Sequence, residues 1–157
     1  MRPAVEVTHA RIEDADYLGA HLRQEDLDEL LAAGHDDPLV PIREGILGSD
    51  WAMTARVDGQ IACVFGLAHT GSVLAPIGVP WMLGTDLVTH NARALMRLAP
   101  AYIAHMLLQY DQLINAVHAP NRQAIGWLRR MGFKLEPVRP LGPLGEPFHV
   151  FRKHRHV

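Results

Sequence analysis

Asn121-Arg122-Gln123-Ala124-Ile125-Gly126-Trp127-Leu128-Arg129-Arg130-Met131-Gly132-Phe133-Lys134 is the stretch that decides the fold. Asn is a favoured N-cap because its short side chain accepts a hydrogen bond from an unpaired amide of the first turn. Gly132 stands where helices commonly close, since a residue without Cβ reaches the left-handed conformation at no steric cost. The stretch predicts a helix from Asn121 to Met131, stopped at Gly132 and feeding a strand over residues 134–138. Arg122, Arg129, Arg130 and Lys134 crowd this element. They read as a solvated basic face that could also attract phosphates.

Upstream, Leu113 to Val117 predicts a strand, with His118 just after it. Before it, Leu95, Leu98, Tyr102, Ile103, Met106 and Leu107 form an apolar stripe on one long helix from about Asn91 to Tyr110, kinked or broken at Pro100. Val79 to Leu83 predicts a strand closing at Gly84. Trp51 to Val57 and Gln60 to Leu67 are strand-like runs joined by Asp58-Gly59, a pair suited to a two-residue hairpin turn. Cys63, inside the second run, reads as a small core residue rather than a nucleophile.

Residues 3–8 alternate as a first strand. Three helices follow. Ala15, Leu18 and Leu22 mark the first, with Glu13, Asp14 and Asp16 at its positive end. Leu27, Leu30 and Leu31 mark the second, stopped by Gly34. The third opens at Asp37-Pro38, buries Ile42, Ile46 and Leu47, and ends at Gly48. Downstream, a last strand spans residues 148–153. The element order predicts one α+β domain over 1–157, with a core at 3–152 and a basic tail at 153–157. Its central sheet is mixed and mostly antiparallel, with about six to seven strands flanked by helices.

With 48% hydrophobic and 20% charged residues, the chain is neither disordered nor fibrous. Its net charge of −2 is unevenly placed: residues 1–50 carry −8 and residues 51–157 carry +6. A basic half of that size could serve an anionic ligand such as a nucleotide cofactor, or simply form solvated helix faces. No basic run is interleaved with aromatics, so no nucleic-acid partner is expected. No apolar run approaches the ~20 residues of a membrane span. The single cysteine and the absence of a signal-peptide pattern at the start predict a soluble protein in a reducing, cytoplasmic compartment. Ten histidines lack metal-ligand spacing, so no metal is expected.

The segment 121–134, with its Asn opening and Gly-Phe close, resembles the second half of the GNAT N-acetyltransferase fold, and the element order matches that fold over residues 3–152. More narrowly, VPWMLGT at 79–85, Asn121 to Phe133, and PLGEPFHVF at 143–151 look like a phage-encoded GNAT-like branch. That branch is related to the gene 13 product of T7-like phages. The resemblance implies acetyl-CoA as cosubstrate and direct transfer of an acetyl group to an amine in a ternary complex, with no covalent intermediate and no metal.

The resemblance also implies site residues. The backbone of Trp81, Met82 and Leu83 would pair with the pantetheine amides, and Asn121 would touch the same arm. The family's diphosphate turn corresponds to residues 85–96, where Ala94 and Met96 stand in place of glycines and Thr89, His90 and Arg93 offer side chains. The family's tyrosine acid falls at Leu128. His118 is then the candidate general acid or base, with Tyr110 and His149 as weaker substitutes. The acidic residues of the first two helices fall where GNATs form the acceptor wall. They hint at a cationic amine or read as a solvated face. A homodimer, and partners among phage structural proteins, are further implications. Two alternatives stand beside the enzyme: a non-catalytic GNAT-fold phage protein acting in virion assembly or as a minor virion component, and a CoA-binding regulator. The phage branch would place the chain in the bacterial host cytoplasm or in the virion.

Overall fold

A computed structural model describes residues 1–156. Asp58 and Gly59 both take positive φ, 48° and 83°, closing the hairpin between β2 (Trp51–Val57) and β3 (Gln60–Ser72). The first strand, β1 (Val5–His9), pairs antiparallel with β2 as the sheet's edge. β3 is longer than its apolar run suggests. It turns at Val73-Leu74 into β4 (Ala75–Gly84), and the two stay paired from Ser72–Ala75 down to Cys63–Gly84.

Beyond β4 the sheet changes character. β5 (Gln112–His118) runs parallel to β4 and shares one ladder pair with it, Gly78 with Leu113. β8 (Glu146–His154) then pairs antiparallel with all seven residues of β5. The short β6 (Lys134–Leu135) and β7 (Arg139–Leu141) both pair with β8. The eight strands therefore form one mixed, mostly antiparallel sheet in the order β1-β2-β3-β4-β5-β8-β6, with β7 off that path.

Helices cover both faces. α1 (Ile12–Ala20) and α3 (Leu39–Gly48) bury Ala15, Leu18 and Ile42 against Val64 and Leu83. α2 (Gln24–Ala32) lies against the end of β5. On the other face, α4 (Asp86–His90) precedes the stretch expected as one long helix, which is two pieces, α5 (Ala92–Met96) and α6 (Ala99–Gln109). Of the kink or break expected at Pro100, the structure has the break, with a fresh helix start. Pro100 is the second residue of α6, where its missing N–H would have had no partner. α7 (Arg122–Arg130) follows β5, capped by Asn121 Oδ1, which accepts from Ala124 N at 3.4 Å. Gly132 leaves α7 at φ 85°. Ile103, Met106, Leu113, Val117, Ile125 and Phe151 form the largest core cluster on this face.

Three apolar stripes are rotated from expectation. Leu31, Leu47 and Leu98 are exposed at 42, 73 and 37%. The face that α2 buries carries Arg23, just before its first residue, and Asp26 instead. The segment expected as a tail is strand through His154, and Arg155 is tied back to Asp111 by an ion pair at 2.8 Å. Residue 157 lies outside the described residues. Among the described residues no helix is long and apolar enough to cross a membrane.

Candidate active site

The site is the opening between β4 and β5. Past the Gly78–Leu113 pair the ladder between the two strands stops, so the edge of β4 facing β5 from Val79 to Leu83 has no strand partner. Gly78 is where they touch. A Cβ there would sit 2.7 Å from Leu113 Cδ2 and 3.0 Å from the Tyr110 ring. Above it Asn115 Nδ2 donates across the gap to Pro80 O at 2.8 Å. The gap widens into a cavity of about 490 Å³, open to solvent and mostly apolar, at the crevice where ligands of open sheets commonly bind.

Trp81, Met82, Leu83 and Asn121, expected at the pantetheine arm, all line this cavity. Trp81 is a wall as well as a lining. Its Nε1 donates to Ser49 Oγ at 2.8 Å, and its ring packs so closely over Gly45 and Gly66 that a Cβ at either would come within 3.2 Å. Leu128, at the family's tyrosine position, lines the cavity and offers no proton.

The remaining expected residues lie elsewhere. His118 is buried with its ring 5.2 Å from Phe148 and is absent from the cavity lining; its backbone, not its imidazole, serves the site. Tyr110 donates its hydroxyl to Asp50, and His149 Nδ1 pairs with Glu136 O at 2.8 Å, both away from the lining. Thr89, His90 and Arg93 are exposed on α4 and α5. Helix begins directly after β4, at Asp86, so Ala94 and Met96 belong to α5 rather than to the turn. In the turn itself, Gly84 N donates to Asp26 Oδ2 at 2.7 Å and Leu87 N to Thr85 Oγ1 at 3.3 Å, which occupies two amides that an anion would otherwise use. Among the described residues no group of three His, Cys, Asp or Glu side chains could hold a metal ion.

The acidic and arginine side chains at the cavity come from α2 and the turn before it; the family resemblance implied an acidic acceptor wall here without singling out any residue. Arg23, 2% exposed, clasps Asp26 through Nε and Nη2, both at 2.9 Å. Its Nη1 donates to Gln123 Oε1 at 2.7 Å, and its guanidinium lies 5.2 Å from the Trp127 ring centroid. Thr89 Oγ1 donates to the same Gln123 oxygen at 3.0 Å, so α2, α4 and α7 are bound into one polar network. Glu29 stands apart from it. Its Oε1 accepts from His118 N at 2.6 Å, its carboxylate lines the cavity, and among the described residues it has no ion-pair partner. Burial pushes the Glu29 carboxyl up from 4.5 to about 7; Asp26 adds to the rise, while the His118 amide, Arg23 and Asn121 oppose it. A signal was present in the sequence. Arg23, Asp26, Leu30 and Ala33 recur at three and four, a helical stripe that carries charge instead of leucine.

Comparisons with known proteins agree on the architecture. No protein-family model matches the sequence, and no curated protein matches it. Solved structures do. A GNAT-family acetyltransferase from Streptococcus pneumoniae superposes with a TM-score of 0.65 at 15% identity, over 97% of this chain and 100% of that one. Aminoglycoside acetyltransferase AAC(6')-Ib in complex with coenzyme A gives 0.69 at 13% identity, over 97% and 95%. The Salmonella typhimurium protein yncA, solved with acetyl-CoA, gives 0.65 at 10% identity, over 96% and 94%. At such identities the likeness is one of fold. The chain has the fold of the GNAT acetyltransferases, an α+β domain whose mixed sheet parts between its fourth and fifth strands.

Proposed function

We propose that this protein is an acetyl-CoA-dependent N-acetyltransferase with Glu29 as its general base. The observation that carries the reading is the Glu29 carboxyl at the cavity between β4 and β5, bonded to the His118 amide, without a salt bridge among the described residues and pushed up by burial to about 7. A base poised near neutral pH works best because it is deprotonated when needed yet basic enough to take a proton. Burial supplies that basicity here, as it does for other tuned carboxylates.

The residues present fit the cosubstrate. The unpaired edge of β4 from Val79 to Leu83 offers backbone groups to the amides of a pantetheine arm, and Asn121 and Leu128 face the same cavity. With two amides of the turn already bonded, the phosphates would rely on side chains, with Thr89, His90 and Arg93 exposed nearby on α4 and α5. Acetyl-CoA supplies an activated thioester carbonyl. In the transfer one N–C bond forms and one C–S bond breaks, and the proton shed by the amine balances the one gained by sulfur. Glu29 accepts the amine's proton, while the His118 amide and Asn121 hold the carboxylate in place. His118 positions the base through its backbone; its imidazole has no part in this reading.

A non-catalytic role in a phage particle would suit a cleft filled by its own side chains, and the 490 Å³ cavity favours the enzyme instead. None of the solved structures named above is described as a phage protein. Calorimetric titration with acetyl-CoA and with CoA tests the proposal. Micromolar binding, followed by turnover of some amine, is expected; no binding at millimolar ligand overturns it.

A further inference from the structure

The acceptor pocket has one anionic group and hydrocarbon walls. Two acidic side chains line the cavity, Asp26 and Glu29. Asp26 is saturated by the bidentate Arg23 guanidinium and the Gly84 amide. Glu29 alone remains to receive a cation.

Beyond Arg23, Asp26, Asn121 and the His118 amide, the walls around Glu29 are largely apolar. Leu30 and Ala33 continue the cavity side of α2, and Trp81 forms a wall locked over Gly45. Phe148 packs at a tilt against His118, whose amide binds Glu29. The other basic or titratable side chains on the lining are Arg23, already paired, Cys63 and Tyr102, which are neutral when protonated and offer no counter-charge to an ammonium in that form, and His35, which when protonated would repel a second ammonium. A polyamine or an aminoglycoside brings several charges, and every ammonium beyond the first would be desolvated here without a counter-charge. A single ammonium on an aliphatic or aromatic body meets both features: its charge meets Glu29, and its body meets Trp81, Phe148 and Leu30.

Resting on the transferase reading, we propose that the acceptor is a primary monoamine carried on an apolar body, with Glu29 anchoring its ammonium and Trp81 and Phe148 enclosing the rest.

Direct amine binding tests this without the acyl donor, so its result is independent of whether the protein turns over. Calorimetric titration of the full chain would use 2-phenylethylamine, n-hexylamine and spermidine. The proposal expects both monoamines to bind at least tenfold more tightly than spermidine. It also expects Glu29→Gln to weaken the monoamines at least tenfold, with the folded state checked by circular dichroism. Leu30→Asp, which adds a second carboxylate beside Glu29, should narrow the gap between spermidine and the monoamines. Equal affinities, a preference for spermidine, or no monoamine binding overturns the assignment. Failure of acetyl-CoA to bind would sink the transferase reading instead, and the amine titration would still decide this one.

Discussion

The two edges of β4 face opposite fates. Toward β3 the strand is paired at every residue from Ala75 to Gly84; toward β5 it is paired once, at Gly78. The same ten residues thus build a rigid sheet on one side and leave backbone groups free on the other. Free backbone donors and acceptors at a sheet edge are normally a liability. Here they face a solvent-open cavity within the domain rather than another chain's strand, and Asp26, Glu29 and Arg23 gather at that open edge.

The comparison can be broken at its open edge first. Glu29→Gln should lower kcat/KM by about 10²–10⁴-fold while leaving acetyl-CoA binding intact, the usual span for a general base. Because the base must be deprotonated to act, wild-type kcat/KM should rise with pH through about 7, and that limb should vanish in the variant. Stability should move oppositely. A carboxyl raised from 4.5 to about 7 on folding stabilises fully below pH 4.5 and loses that contribution as pH rises through 7, and denaturant titrations at pH 4.5 and 8 would read it.

Breaking the ion pair at the head of α2 should cost nearly as much in a different currency. Asp26→Ala strands the buried Arg23 charge and frees the Gly84 amide, so unfolding free energy should fall by about 3–5 kcal/mol in urea. The single ladder pair between the two halves of the sheet comes next. Gly78→Val forces a side chain into Leu113 and Tyr110, and a loss of about 1–3 kcal/mol is expected from overpacking. The smallest effect belongs to Asn115→Ala, which removes the bond to Pro80 O across the opening. About 1 kcal/mol of stability should go with it, read by thermal unfolding.

Local chemistry was legible where one residue type leaves the backbone little choice. Asp58-Gly59 announced its hairpin, Asn121 its cap, and Gly34 and Gly132 the ends of α2 and α7. Pro100 announced that the 91–110 stretch would not run unbroken, although the break falls just before it, between Met96 and Ala99. The site was half legible. Trp81, Met82, Leu83 and Asn121 fell at the cavity because strand and cap positions fix them. Arg23, Asp26 and Glu29 were hidden among twelve acidic residues in the first fifty, where charge reads as solvated surface. Asp14 hid in the same way: it is buried, accepting from Thr54 Oγ1 at 2.7 Å and Arg56 Nη2 at 3.0 Å. Burial of a charge depends on a partner distant in sequence, and periodicity does not report that partner.

Cys63 is the chain's single cysteine, 3% exposed, with burial pushing its thiol up to about 12. At neutral pH it is therefore almost wholly protonated, and a disulfide reagent meets almost no thiolate until the domain opens. Free coenzyme A can then be counted with a chromogenic thiol reagent in the presence of the protein, with little background from the protein itself. In the absence of coenzyme A, the slow labelling of Cys63 becomes a clock for global unfolding.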